Sequence, residues 1–319
     1  MSCSARCRVS PDTRSTRACG RRHFYGPLPD RLLGNVAIVD AAPAPSVSIV
    51  IPCYNEETNL RAGCLTHVVR YAEHAADICE VLVVDDGSGD ASRDLVGALA
   101  GEHPKLRLLA EPHRGKAGAV IAGIMAARGA YVLFTDMDQA TPIAELDKLR
   151  PYLAQGYDVV IGSRLGERAG APLVRRLMAA GFSLLRRLVL DLGPVTDTQC
   201  GFKALKADVA RAICGCLRIF QPGVAQASGA AVTAGFDAEL LFVARRMDAR
   251  LTEVPVQWHY VGTRRVHPLR ESWRGLQGLL HIRRAARRGE YDRANPASGS
   301  RTGSLSDLEV RSDPKRSGP

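Results

Sequence analysis

Val81-Leu-Val-Val-Asp85-Asp86-Gly87-Ser88 and Tyr131-Val-Leu-Phe-Thr-Asp136-Met-Asp138 decide how this chain folds. Each is a run of apolar residues that stops abruptly at a pair of carboxylates. Strands rich in Val, Leu and Phe with no polar alternation belong to the centre of a parallel sheet, covered on both faces. Ligands of such sheets sit beyond the carboxyl ends of the strands. Charged groups gathered there need partners, because an unpaired buried charge is costly. A divalent cation and the polar groups of a nucleotide are the natural candidates.

Working outward, Val47-Ser-Ile-Val-Ile51 reads as the first strand, closed by Pro52. A helix is expected from Glu57 to about Ala75, then strand 81–84 and a helix from about Ala91 to Ala100. A short strand near Leu106–Leu109, a helix over Lys116–Ala127 and strand 131–135 follow. A helix over Thr141–Leu153 leads to strand Asp158–Gly162, and further on come a helix at 236–248 and an extended Glu253–Trp258. Strands alternating with helices imply βαβ units and an α/β, Rossmann-like, doubly wound and mostly parallel sheet. Residues 1–45 are rich in Arg, Ser and Pro and read as a flexible basic extension. Residues 46–285 form the folded domain, with an amphipathic C-terminal region, and 286–319 read as a disordered polar tail.

The 319 residues are 46% hydrophobic, which is globular, and carry a net charge of +10. That balance calls for an anionic partner: a nucleotide, nucleic acid or an acidic membrane surface. Nucleic acid is disfavoured, because aromatics are only 5% and no recognition motif with stacking aromatics is present. No apolar run reaches the ~20 residues of a spanning helix, and the Arg-rich start is not followed by the apolar segment of a signal peptide. The nine cysteines form no CxxC pair. Their scatter argues for reduced thiols in a cytosol, and Cys214-Gly-Cys216 lacks the second pair that a zinc site needs.

Two phosphate-binding motifs fail. Gly87-Ser-Gly89 follows a strand, but a dinucleotide fingerprint needs Gly where Ser92 stands. Gly115-Lys116 resembles the end of a P-loop, yet Ala117 replaces Ser/Thr and Ala110 replaces the leading Gly. The carboxylates fare better. Asp85 and Asp86 can be read as helix caps or as ligand groups; one Asp suffices for a cap, and Gly87-Ser88 already supply turn chemistry. Asp136-x-Asp138 places two carboxylates at i, i+2 after a strand, where both can face one hard cation. Mg²⁺ or Mn²⁺ fits such oxygen ligands and keeps substrate phosphates in its shell.

Val47-Ser-Ile-Val-Ile-Pro52-Cys-Tyr54-Asn55-Glu56-Glu57, Val84-Asp85-Asp86-Gly87-Ser88 and Asp136-Met-Asp138 resemble the signature of the inverting family 2 glycosyltransferases of GT-A fold. Gly115-Lys116-Ala-Gly118, Gly162-Ser163-Arg164, Asp197-Thr-Gln-Cys-Gly201-Phe202-Lys203 and Phe236-Asp237-Ala-Glu239 extend the resemblance to the dolichyl-phosphate β-glucosyltransferases and polyprenyl-phosphate mannose synthases. It covers roughly residues 46–285. It implies transfer of a hexose from a nucleotide sugar to a polyprenyl or dolichyl phosphate, at the cytoplasmic face of a membrane. Pro52, Tyr54, Asn55 and Glu56 resemble residues lining the donor base and ribose, and Asp86, beside Asp85, the acid that reads the base. Asp136 and Asp138 resemble the metal–diphosphate ligands. Where mannose synthases carry a metal-holding Gln, this chain has Ala140, which favours UDP-glucose over GDP-mannose as donor. Arg164 and Arg175 resemble arginines that meet the acceptor phosphate, although Ala179 replaces a Ser of that site. Arg176 and Lys203 are further acceptor-phosphate candidates. A separate membrane subunit is compatible with the same residues. The rival readings are a family 2 transferase with a soluble or polysaccharide acceptor and an inactive nucleotide-sugar-binding scaffold.

At 100° per residue, Leu173–Leu192 gathers Val174, Leu177, Leu184, Leu185 and Leu188 on one face and Arg175, Arg176, Arg186 and Arg187 on the other. It reads either as a surface helix with a solvated basic face or as an interfacial helix on anionic lipid. The basic run 281–288 offers a second membrane contact. Lys116 at a helix start is disfavoured by the macrodipole and is better explained by donor phosphates. Asp237 and Glu239 are either helix N-terminal acids or a catalytic base. A phosphate monoester, with its second pKa near ~6, is already a nucleophile at neutral pH and needs no strong base. His113 and His259 read as structural.

Overall fold

The computed structural model describes residues 44–164, 189–190, 192, 195–220, 235–259 and 268–292. Among the described residues, seven strands form one sheet: β1 (Val47–Cys53), β2 (Ile78–Asp86), β3 (Leu106–Glu111), β4 (Tyr131–Phe134), β5 (Val159–Ser163), β6 (Lys203–Lys206) and β7 (Leu251–Pro255). Their order is β3-β2-β1-β4-β6-β5-β7. Pairing is parallel except at β6, which runs antiparallel to both β4 and β5. The helices are α1 (Glu57–Arg61), α2 (Cys64–His74), α3 (Ser92–Glu102), α4 (Gly115–Ala126), α5 (Leu146–Ala154), α6 (Ala207–Cys216), α7 (Phe236–Arg246) and α8 (Pro268–Arg287).

The unbroken apolar strands are explained by two cores. Side chains alternate across a strand. Val50, Leu82, Val84, Val132 and Phe134 therefore pack on one face with α4, α6 and α7. Ile49, Ile51, Val81, Val83 and Leu133 pack on the other with α2 and α5. Helix α4 lies so close to β1 that a Cβ on Gly123 would come within 2.2 Å of Val50.

Several boundaries differ from expectation for local reasons. β1 runs through Pro52 to Cys53. Val50 O accepts the Thr135 N–H, so Pro52, two residues on, faces the β4 side beyond the end of that pairing, where no donor is required. The helix expected over 57–75 is split by Gly63, whose φ of +84° no helix accommodates. Thr141 precedes Pro142 and is kept out of helical geometry. A 3₁₀ turn at Ile143–Glu145 then leads into α5. β6 and α6 were not foreseen, because four residues of strand give little periodicity. The expected domain end at 285 falls inside α8, and the described chain stays packed to Asp292, with Tyr291 fully buried. The amphipathic segment 173–192 lies, except for 189, 190 and 192, outside the described residues, as do Arg175 and Arg176.

Candidate active site

All parallel strands end at one edge, and β6, running the other way, begins there. The segment before β6 is thus delivered to the same edge as Asp86, Asp136 and Arg164. The opposite edge carries a structural network in which Glu80, almost fully buried, is held by Ser48 Oγ at 2.7 Å, the Arg128 N–H at 2.7 Å and Arg107.

Asp85 and Asp86 are consecutive on β2, so they point to opposite faces. Asp85 is fully buried and takes Nε and Nη2 of Arg93, on α3, at 2.9 and 2.6 Å. Its carboxylate holds the β2–α3 turn together, which corrects the expectation that it faces the donor. Asp86 turns toward the loop before α4. It accepts the Arg114 N–H at 2.7 Å and lies 2.9 Å from His113 Nδ1. The His113 ring stacks on Tyr54, with centroids 4.2 Å apart. Gly87, at φ +71°, lets this loop close in, since a Cβ there would lie 3.0 Å from His113 N. His113, expected to be structural, packs between Tyr54 and Asp86. Asn55 sits at φ +52°. Its Oδ1 accepts the Gly89 N–H at 2.8 Å, and the Glu56 N–H donates to Ser92 Oγ at 2.8 Å, so this loop is stitched to the β2–α3 turn.

Asp136 and Asp138 flank Met137, which is buried, in the turn that follows β4. Lys116 Nζ, on the first turn of α4, lies 2.5 Å from Asp136 Oδ1. Burial works against the Lys116 ammonium, but Asp136, Asp237 and Asp138 together outweigh it and hold its pKa above the usual lysine value. Asp138 Oδ1 accepts the Ala140 N–H at 3.1 Å. Gly201 makes room for the first carboxylate: a Cβ there would lie 2.2 Å from Asp136 Oδ2. The His259 N–H donates to Ala140 O at 2.7 Å, which ties the chain after β7 to the turn after Asp138.

Lys203 is fully buried, with Nζ 2.6 Å from Asp237 Oδ1 and 2.5 Å from Cys200 O. It cannot meet an acceptor phosphate without abandoning Asp237, which corrects its expected role. Three carboxylates (Asp136, Asp138, Asp237) and two ammoniums (Lys116, Lys203) therefore share this edge. Glu239, also fully buried, accepts the N–H groups of Arg218, Ile219 and Phe220 at 2.7–3.1 Å and the Tyr291 hydroxyl at 2.6 Å. A carboxylate so employed is a scaffold group, not a base. Arg164 donates Nε and Nη2 to Asp197 at 2.8 and 2.7 Å and lies over Trp258. Burial pushes the Asp197 carboxyl up, but the Arg164 side chain and backbone N–H overcome it and lower the pKa to about 2. Asp197 is in turn placed by Glu253, which accepts the Thr196 and Asp197 N–H groups, both at 2.7 Å. Asp197 stood in the quoted motif without a role; the arginine it orients was the only clue.

Residues 48–214 match the family described as Glycosyl transferase family 2. The chain belongs to this family. As a family 2 glycosyltransferase it is similar to a dolichyl-phosphate beta-glucosyltransferase of Trichomonas vaginalis, 33% identical over 67% of this chain and 64% of that one. It is also 30% identical to the enzyme of that description from Drosophila melanogaster, over 75% of this chain and 74% of the other. The human dolichyl-phosphate beta-glucosyltransferase is 29% identical over 76% of each chain. Among solved structures, mannosyl-3-phosphoglycerate synthase from Rubrobacter xylanophilus superposes with a TM-score of 0.56 at 20% identity, covering 77% of this chain and 76% of the other. Glucosyl-3-phosphoglycerate synthase from Mycobacterium tuberculosis, in complex with Mn²⁺, UDP-glucose and phosphoglyceric acid, gives 0.53 at 20% identity over 76% and 81%. These likenesses establish the GT-A-type fold of the glycosyltransferase. No helix among its described residues is long and apolar enough to cross a membrane.

Proposed function

We propose that this glycosyltransferase moves glucose from UDP-glucose to a polyprenyl or dolichyl phosphate, inverting the anomeric centre, at the cytoplasmic face of a membrane. The observation that carries the reading is the carboxylate–ammonium cluster at the strand ends, in a chain whose relatives are described as dolichyl-phosphate beta-glucosyltransferases. The net charge of +10 suits both anionic substrates and an anionic bilayer.

Asp136 and Asp138 fit a hard divalent cation, Mg²⁺ or Mn²⁺. They supply two carboxylates from one strand end, and such ions are bound by one or two carboxylates plus substrate phosphates. The cluster's excess of one carboxylate over its ammoniums favours the added positive charge. When bound, the ion neutralises charge developing on the leaving diphosphate. Lys116, held at this edge by Asp136, supplies a fixed cation for the same diphosphate. Tyr54, His113 and Asp86 wall the nucleobase. The acceptor phosphate is ionised at neutral pH. Its oxygen forms the bond to the anomeric carbon while the carbon–oxygen bond to the diphosphate breaks and the electron pair leaves with the diphosphate. No side chain has to remove a proton, which agrees with Asp237 and Glu239 both being engaged elsewhere. Arg164, oriented by Asp197, directs its remaining donor capacity at the acceptor side.

The test incubates purified protein and polyprenyl phosphate with UDP-glucose, GDP-mannose and other nucleotide sugars, with and without chelator, and weighs the lipid product. A glucosyl adduct from UDP-glucose, lost with chelator, is expected. Transfer only to soluble hydroxyl or sugar acceptors overturns the reading.

A further inference from the structure

Away from the strand-end cluster, α8, the turn after it and the loop after α6 form an open polar pocket of about 340 Å³, lined by Arg218, His281, Arg284, Arg288 and Glu290 among others. His281 and Arg284 stand at i and i+3 on one face of α8, and Arg288 follows in the turn just after the helix ends. Leu279, Ile282 and Ala285 of the same helix are buried in the core, so the basic face is turned away from it. Arg218 joins from the other side, with Nε donating to Glu290 O at 2.8 Å. Arg288 Nε lies 2.6 Å from Glu290 Oε1. Three guanidiniums against one carboxylate leave an excess of two positive charges around a concave space, before any charge on His281. No bond to the side chains of His281 or Arg284 is recorded among the described residues.

The cavity is also rigidly mounted. Glu239 clamps the N–H groups of Arg218, Ile219 and Phe220 and the Tyr291 hydroxyl. Glu239 lies on the first turn of α7, two residues from Asp237 of the active-site edge. One helix therefore fixes both the floor of the basic cavity and part of the catalytic cluster. Forked, convergent guanidiniums with donors to spare recognise phosphate oxygens.

We infer that this cavity is a second phosphate-recognition site, which takes the phosphodiester headgroup of an anionic phospholipid and sets the orientation of the active-site edge on the bilayer. The lipid source rests on the membrane acceptor proposed above. Binding is measured without donor or acceptor, so its failure and the failure of glucosyl transfer are read separately.

The experiment compares full-length parent, Arg284→Glu combined with His281→Glu, and Arg70→Glu as a charge control on exposed α2. Each is co-sedimented with phosphatidylcholine vesicles with and without phosphatidylglycerol, and again with excess inorganic phosphate. The two α8 positions are exposed, so their exchange leaves the core intact, and circular dichroism checks this. The parent is expected to partition onto the anionic vesicles only. The double variant should bind roughly tenfold or more weakly, given the worth of each basic residue near such a surface. The control should bind like the parent, and inorganic phosphate should not displace it. Displacement by inorganic phosphate would keep the phosphate site and overturn its lipid source. Equal binding by double variant and parent, or equal loss in the control, would overturn the site.

Discussion

At the residue scale, position sorts the carboxylates. Asp85 and Asp86 are adjacent in β2 and serve opposite faces, whereas Asp136 and Asp138 lie in the turn after β4, and both act on the Lys116 ammonium. This predicts different failures. Asp138→Asn keeps the shape but removes a hard anionic ligand. Turnover should collapse while the thermal transition is unchanged, and added Mn²⁺ should restore little; near-normal activity in the presence of chelator would contradict the assignment. Gly201→Ala should act at a distance from its own backbone. Its methyl would enter the space of Asp136 Oδ2, and displacing a reacting group by about 1 Å costs on the order of a hundredfold in rate. A full turnover number for this variant would show that Asp136 is not needed where it stands. The Asp-x-Asp pair stood out in the sequence because it directly follows an apolar strand run, and both residues lie in the turn after β4. His113 and Asp197 were not, because their importance comes from what they touch, Tyr54 and Arg164, across long stretches of chain.

At the element scale, the strand runs were read correctly because a strand buried on both faces leaves an uninterrupted apolar signature. What failed was the course of two helices, those expected over 57–75 and 141–153. Gly63 and Pro142 divide or delay helices whose apolar pattern continues past them. β6 was invisible: its four residues include Lys203, a buried charge that is compensated by Asp237 and Cys200 O. The Arg164–Asp197 pair ties the residue after β5 to the turn that precedes β6, and that pair has a pH signature. The folded Asp197 pKa is depressed to about 2 from an ordinary 3.8. Its contribution is therefore fully present above pH ~4 and is lost as pH falls toward ~2, and amounts to about 2 kcal/mol. Asp197→Asn should flatten that part of the stability–pH curve measured by urea unfolding. An unchanged acid slope would remove the pair from the account.

At the scale of the described fold, the sheet brings Asp86, Asp136 and Arg164 to one edge, and Tyr291, after α8, braces α7 through Glu239. Tyr291 lies beyond the point where the sequence lost its apolar pattern, so nothing in composition marked it as core. It is nonetheless fully buried, stacked edge-on against Phe242 at 5.3 Å and bonded to Glu239. Tyr291→Ala should lower stability by about 3–5 kcal/mol, as for other buried aromatics. Tyr291→Phe should cost less, about 1–3 kcal/mol for the lost donor to Glu239. A shift of the urea midpoint without a change of slope checks both; a neutral Tyr291→Ala would place this residue outside the fold.

Inversion at the anomeric carbon distinguishes a single displacement from a two-step double displacement, and linkage of the sugar to the lipid distinguishes transfer from hydrolysis. The decisive measurement is the anomeric configuration, by NMR, of the lipid product formed from UDP-α-glucose and polyprenyl phosphate by the parent and by Asp138→Asn. A β-linked glucosyl phosphate from the parent, and none from the variant, is the predicted result. An α-linked product, or free glucose with no glucosyl lipid, would contradict the account.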